Sequence, residues 1–112
     1  MYILNPFAFK DNDNVIKCNN IYEANLAIDA LYKEGYIWNG NSKKKPRDIV
    51  TIETESCSAD NIALCIAGLE NSFIYIYFYP KEKYIMYLTS LKTDPKNNYK
   101  AIEIKQALIK EN

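Results

Sequence analysis

The stretch that most restricts the fold is Phe73-Ile-Tyr-Ile-Tyr-Phe-Tyr79, followed by Pro80-Lys-Glu-Lys83 and then Tyr84-Ile-Met-Tyr-Leu-Thr89. An unbroken run of β-branched and aromatic residues, a proline-led polar break and a second such run read as a β-hairpin. If Tyr79 pairs with Tyr84, side-chain alternation places Ile74, Ile76, Phe78, Ile85 and Tyr87 on one face. Phe73, Tyr75, Tyr77, Tyr79, Met86 and Leu88 take the other. Neither face is a polar one. Either a helix covers each side, or one face meets another subunit. The second arrangement makes Tyr75, Tyr77 and Met86 an oligomer interface, most simply that of a two-fold dimer.

The clearest helix runs from Ile21 to Glu34. Ile21, Ala24, Ala27, Ile28, Leu31 and Tyr32 form one stripe at helical spacing, with Tyr22 and Leu26 able to widen it. Asn20 is placed to cap it, Glu23 to complete a capping box, and Gly35 to end it in the left-handed conformation. Val15–Cys18 before it and Tyr36–Trp38 after it read as short strands. Asp48–Thr54 is rich in β-branched residues and reads as a further strand. Ala59–Glu70 reads as a second helix, apolar nearly all round, although so short an apolar run also fits a buried strand. Tyr99–Ile104 alternates as a last strand, and Gln106–Lys110 reads as a terminal helical turn. The expected fold is a single α+β domain spanning residues 1–112: an antiparallel sheet with two helices, in the order β-α-β-β-α-β-β-β. Polar breaks at Lys10–Asn14, Asn39–Asp48 and Lys92–Asn98 fit loops within one domain.

Charge sets limits on partners. Fourteen basic and fourteen acidic residues cancel. That argues against a duplex-nucleic-acid binder, which takes most of its affinity from excess positive charge, and against an acidic DNA mimic. No apolar stretch is long enough to span a membrane, and the N-terminus lacks the basic start of a signal peptide. Cys18, Cys57 and Cys65 are odd in number and lack metal-ligand spacing, so free thiols in a reducing cytoplasm are expected.

Chemistry has few places to reside. The chain has no histidine. The commonest general base, the Ser-His and Cys-His pairs and histidine metal sites are therefore all missing. With only Gly35, Gly40 and Gly68, and neither G-x-x-x-x-G-K-[ST] nor G-x-G-x-x-G, no glycine-rich phosphate cradle is available. No motif asks for a cofactor or a metal, and a non-enzymatic role is expected. Glu53, Glu55 and Asp60 cluster in sequence and leave a carboxylate-dependent phosphodiesterase as one alternative.

The most suggestive segment is Tyr36-Ile-Trp-Asn-Gly-Asn-Ser-Lys-Lys-Lys-Pro-Arg47. Tyr36 and Trp38 offer aromatic faces to a base, and Lys43, Lys44, Lys45 and Arg47 offer charge to phosphates. Asn39, Asn41 and Ser42 add hydrogen bonds. This is the ligand site expected of a nucleotide binder. The competing reading is a core tryptophan beside a solvated basic loop.

The fragment Glu23-Ala-Asn-Leu-Ala-Ile-Asp-Ala-Leu-Tyr-Lys-Glu-Gly-Tyr-Ile-Trp38 resembles small proteins encoded by phages and prophages of low-GC Gram-positive bacteria. In that group a short strand leads into a helix ending in L-(Y/F)-x-x-G-Y-x-W. Asn98-Tyr-Lys-Ala-Ile-Glu-Ile104 is similar to their last strand, while the apolar segment Asn61–Leu69 departs from the pattern. The resemblance implies an accessory protein in the host cytoplasm that counters host defence by sequestering a nucleotide-type immune signal. The alternative it implies is an anti-CRISPR-like inhibitor of a host defence protein.

Overall fold

Local signals place helix α1 (Ile21–Lys33) where the periodicity predicts it. The Asn20 side chain accepts a hydrogen bond from the Glu23 amide at 2.8 Å. Glu23 reaches back, one residue beyond the usual capping box, to the Asn19 amide at 2.8 Å. Gly35, at φ +92°, closes the other end, with its amide on the Tyr32 carbonyl and the Tyr36 amide on that of Leu31. This is a Schellman arrangement, and a left-handed residue is needed for it. Asn20→Ala is expected to lower stability by about 0.5–2 kcal/mol, read from the shift in urea midpoint.

The computed structural model describes residues 1–10, 13–39, 46–91 and 100–111. Strand β1 (Tyr2–Leu4) opens the chain, and β2 (Val15–Cys18) precedes α1. Then come β3 (Ile37–Trp38), α2 (Ile49–Glu55), a 3-10 turn at Ala59–Asn61 and α3 (Ile62–Glu70). The hairpin β4 (Ile74–Tyr79) and β5 (Tyr84–Leu88) follows, then β6 (Ala101–Glu103), α4 (Ile104–Ala107) and β7 (Leu108–Lys110). The main sheet has five strands in the order β3-β5-β4-β2-β6, and β1 pairs with β7 in a separate two-stranded ribbon.

Four expectations need correction. The sheet is mixed: β4 runs antiparallel to β2 and β5, but β6 is parallel to β2 and β3 is parallel to β5. The expected strand at Asp48–Thr54 is helix α2. Asp48 caps it by accepting from the Thr51 amide at 2.8 Å, and the Asn25 side chain accepts the Ile49 amide at 2.9 Å. Two otherwise orphaned donors are satisfied, and burial of Ile49 against the core outweighs the β-preference of its branched neighbours. At the C-terminus the helical turn is α4, and the residues beyond it form β7. The described residues therefore hold four helices, not two. Finally, Cys57 and Cys65 are disulfide-paired rather than free, linking the turn after α2 to α3. Cys18 is the free, buried thiol, and burial pushes its pKa up.

The hairpin pairs Tyr79 with Tyr84, the condition on which the two expected faces rest. Ile74, Ile76, Phe78 and Ile85 enter the core with Ala24, Ala27, Ile28 and Leu31 of α1, whose alanines let the helix lie close to the sheet. On the opposite face Tyr77 is fully buried within the chain, as is its cross-strand partner Val15. Tyr75, Tyr79, Met86 and Leu88 are half-buried. Tyr22 is exposed and does not widen the buried stripe of α1.

Candidate functional site

Parallel pairing of β3 with β5 sets Trp38 beside Ile85, and the same face carries Tyr87 two residues on. The Trp38 and Tyr87 rings meet edge to face at 5.9 Å. Trp38 is 4% exposed, and its indole N–H donates to the Arg47 carbonyl at 2.9 Å. That bond satisfies the polar tip of a buried ring. It also ties the two described ends of the basic segment, residues 38 and 47, to each other. The backbone N–H of Trp38 donates to the Tyr32 hydroxyl at 3.3 Å, which anchors β3 to α1.

Around this point lies an open cavity of about 330 Å³, lined by Trp38, Asn39, Arg47, Ile52, Glu55, Ile85, Met86 and Tyr87. Its size falls at the small end of ligand pockets. Helix α2 forms one wall and β3–β5 the other. The charged groups sit on α2 and just before it, while Asn39 and the Tyr87 hydroxyl come from the sheet side. The Arg47 guanidinium pairs with the Glu55 carboxylate, and the Tyr87 hydroxyl donates to Glu53. The cavity thus combines aromatic rings, an amide and a planar cation.

Two of the residues predicted as a ligand site, Trp38 and Arg47, meet at this cavity. Tyr36 is not in its wall. It is buried edge-on against Phe78 at 5.6 Å, with the Lys83 ammonium 4.4 Å above its ring. Burial, helped by the nearby Glu34 charge, raises the Tyr36 hydroxyl pKa. Lys43, Lys44 and Lys45 lie outside the described residues. Met86, expected at an oligomer interface with Tyr75 and Tyr77, touches the cavity only from between Ile85 and Tyr87; its sulfur lies on the opposite face, where it accepts the Tyr79 hydroxyl at 3.7 Å. Nothing in the sequence marks Tyr87 as a site residue; the Tyr79–Tyr84 pairing puts it on the face of Ile85. In the sequence Glu55 stands out only as one of a carboxylate cluster with Glu53 and Asp60.

That cluster does not converge. Glu53 and Glu55 stand two residues apart on a helix and project to different partners, Tyr87 and Arg47. Asp60 is exposed on the 3-10 turn. Among the described residues no three Asp, Glu, Cys or His side chains gather as a metal-ligand set.

A second, more apolar cavity of about 530 Å³ lies where α1 meets the N-terminal residues, between Leu26, Asp29, Tyr32, Lys33, Met1 and Tyr2. Its cation is already engaged, since the Lys33 ammonium donates to the Tyr2 carbonyl at 2.9 Å. Burial raises the Asp29 pKa, and Lys33 partly offsets this. The Trp38 cavity offers the richer set of recognition groups. No helix among the described residues is long and apolar enough to cross a membrane. No family model, curated protein or solved structure matches this chain.

Proposed function

We propose that this chain acts by stoichiometric binding, taking a nucleotide-type small molecule into the Trp38 cavity. In this reading it is a phage or prophage accessory protein that sequesters a nucleotide immune signal in the cytoplasm of its bacterial host. One observation carries the binding part: Trp38, Tyr87, Asn39 and the Arg47 guanidinium line a single cavity of ligand size. The half-buried Tyr87 ring, backed by the buried Trp38, suits a base, an amide suits its polar edge, and a guanidinium suits a phosphate. The biological setting rests on the sequence resemblance around Glu23–Trp38.

The experiment is a calorimetric titration with cyclic mononucleotides, cyclic dinucleotides and ADP-ribose, with mass spectrometry of the recovered ligand. One of these is expected to bind once per chain and return unchanged. Arg47→Ala is expected to weaken it at least about tenfold, the usual worth of a charge-assisted phosphate contact. Multiple-turnover product would overturn the non-enzymatic reading.

A second reading is favoured by α3. Its residues Ile62–Leu69 carry no charge, and Leu64 is 73% exposed. An apolar helix of this kind ordinarily covers itself against a partner. An inhibitor of a host defence protein would use such a surface. Native mass spectrometry of the protein purified from infected cells separates the two, by a retained nucleotide or a captured protein. The half-buried Tyr75 and Met86 are the surface through which two copies would meet in a homodimer.

A further inference from the structure

We propose that Glu55 is a built-in competitor for the anion seat of the Trp38 cavity: its carboxylate holds the Arg47 guanidinium in the free protein, and an anionic group of the ligand takes its place. This rests on the reading of the cavity as a binding site, and it adds how that site is regulated and what ligand group enters first.

The guanidinium presents a planar fork that fits a carboxylate and a phosphate in the same way, so the two compete for the same donors. Both side chains line the cavity, with Arg47 a quarter exposed and Glu55 half exposed. A pair so open to water is weakly held and readily exchanged. Glu55 is the last residue of α2, where the helix presents its carbonyl ends and no basic residue occupies the final turn. The helix therefore does nothing to stabilise the carboxylate, and Arg47 supplies the compensating charge.

Arg47 is held independently of Glu55. Its carbonyl accepts the Trp38 indole N–H, and the next residue, Asp48, caps α2. Release of Glu55 leaves the Arg47 backbone anchored at the cavity rim and its guanidinium free to turn to an incoming anion. The neighbouring Glu53 stays engaged with the Tyr87 hydroxyl and takes no part in the exchange.

Arg47 is the single arginine and Trp38 the single tryptophan of the chain, so the guanidinium Nε–H resonance and the fluorescence each report on this cavity alone. The probes are inorganic phosphate and adenosine 5′-monophosphate, titrated at low ionic strength into nitrogen-15-labelled protein. Glu55→Gln is expected to take phosphate about three- to tenfold more tightly than the parent chain, as removal of a partly screened like charge predicts. Glu55→Ser, which cannot keep a hydrogen bond to the guanidinium in the same pose, should gain at least as much. Unchanged or weaker phosphate binding in both folded variants overturns the competitor role. Nucleotide binding without any gain on removing Glu55 overturns the competitor and leaves the proposed function standing. A phosphate gain with no nucleotide bound by any form does the reverse.

Discussion

Trp38→Ala is expected to lower the unfolding free energy by about 3–5 kcal/mol, with the urea transition followed by far-UV circular dichroism. The ring is almost fully buried, it packs edge-on against Tyr87, and its N–H satisfies the Arg47 carbonyl. Truncation opens a void and orphans that carbonyl together. It also removes the bond that joins residue 38 to residue 47, so the position of Arg47 should loosen. Trp38→Phe separates these effects. It keeps much of the aromatic volume and loses the N–H, so a smaller stability loss with weakened ligand binding is the expected signature. Equal binding in Trp38→Phe and the parent chain would place the indole outside the recognition chemistry.

Tyr77→Ala is the second large effect. Tyr77 is fully buried at the middle of β4, opposite Val15 on β2 and Met86 on β5. A loss of about 3–5 kcal/mol is expected, comparable with removal of other buried aromatic rings. Because the residue is buried within one chain, this loss should not depend on protein concentration. Tyr75→Ser and Met86→Ser behave differently if two copies meet on this face. Sedimentation at micromolar concentration should then show dissociation while stability of the folded chain changes little. A parent chain that sediments as a monomer removes the dimer from the proposal.

Much of the fold could be read locally. In α1 the stripe, the Asn20 cap and Gly35 all agree, so its bounds follow from adjacent residues. The hairpin is equally local, since the turn at Pro80–Lys83, closed by the Lys83 amide on the Tyr79 carbonyl, sets Tyr79 opposite Tyr84. Helix α2 misled because Ile49, Val50, Thr51, Ile52 and Thr54 carry strand preferences, while the decisive terms are the Asp48 cap and the long-range bond from Asn25. Parallel pairing of β6 with β2 was not legible, because nothing in either run states which neighbour it takes. For the cavity, Trp38 and Arg47 stood out by residue type. Tyr87 and Glu55 join them only through strand register and a helix that the composition disguised.

The β1–β7 ribbon has a kinetic consequence. It brings Tyr2–Leu4 against Leu108–Lys110, and the Asn5 side chain bonds the Gln106 carbonyl across 101 residues of chain. Contacts of that sequence separation close late, after α1 and the hairpin have supplied something to close upon. The ribbon stands apart from the main sheet and lends it no ladder hydrogen bonds. Leu4 and Leu108 nonetheless pack on the core, so opening the ribbon would expose core side chains while leaving the five-stranded ladder paired. Each such opening would strip Met1 and Tyr2 from the wall of the larger apolar cavity. Access to that cavity would then be set by movement of the β1–β7 ribbon, not by any movement near Trp38.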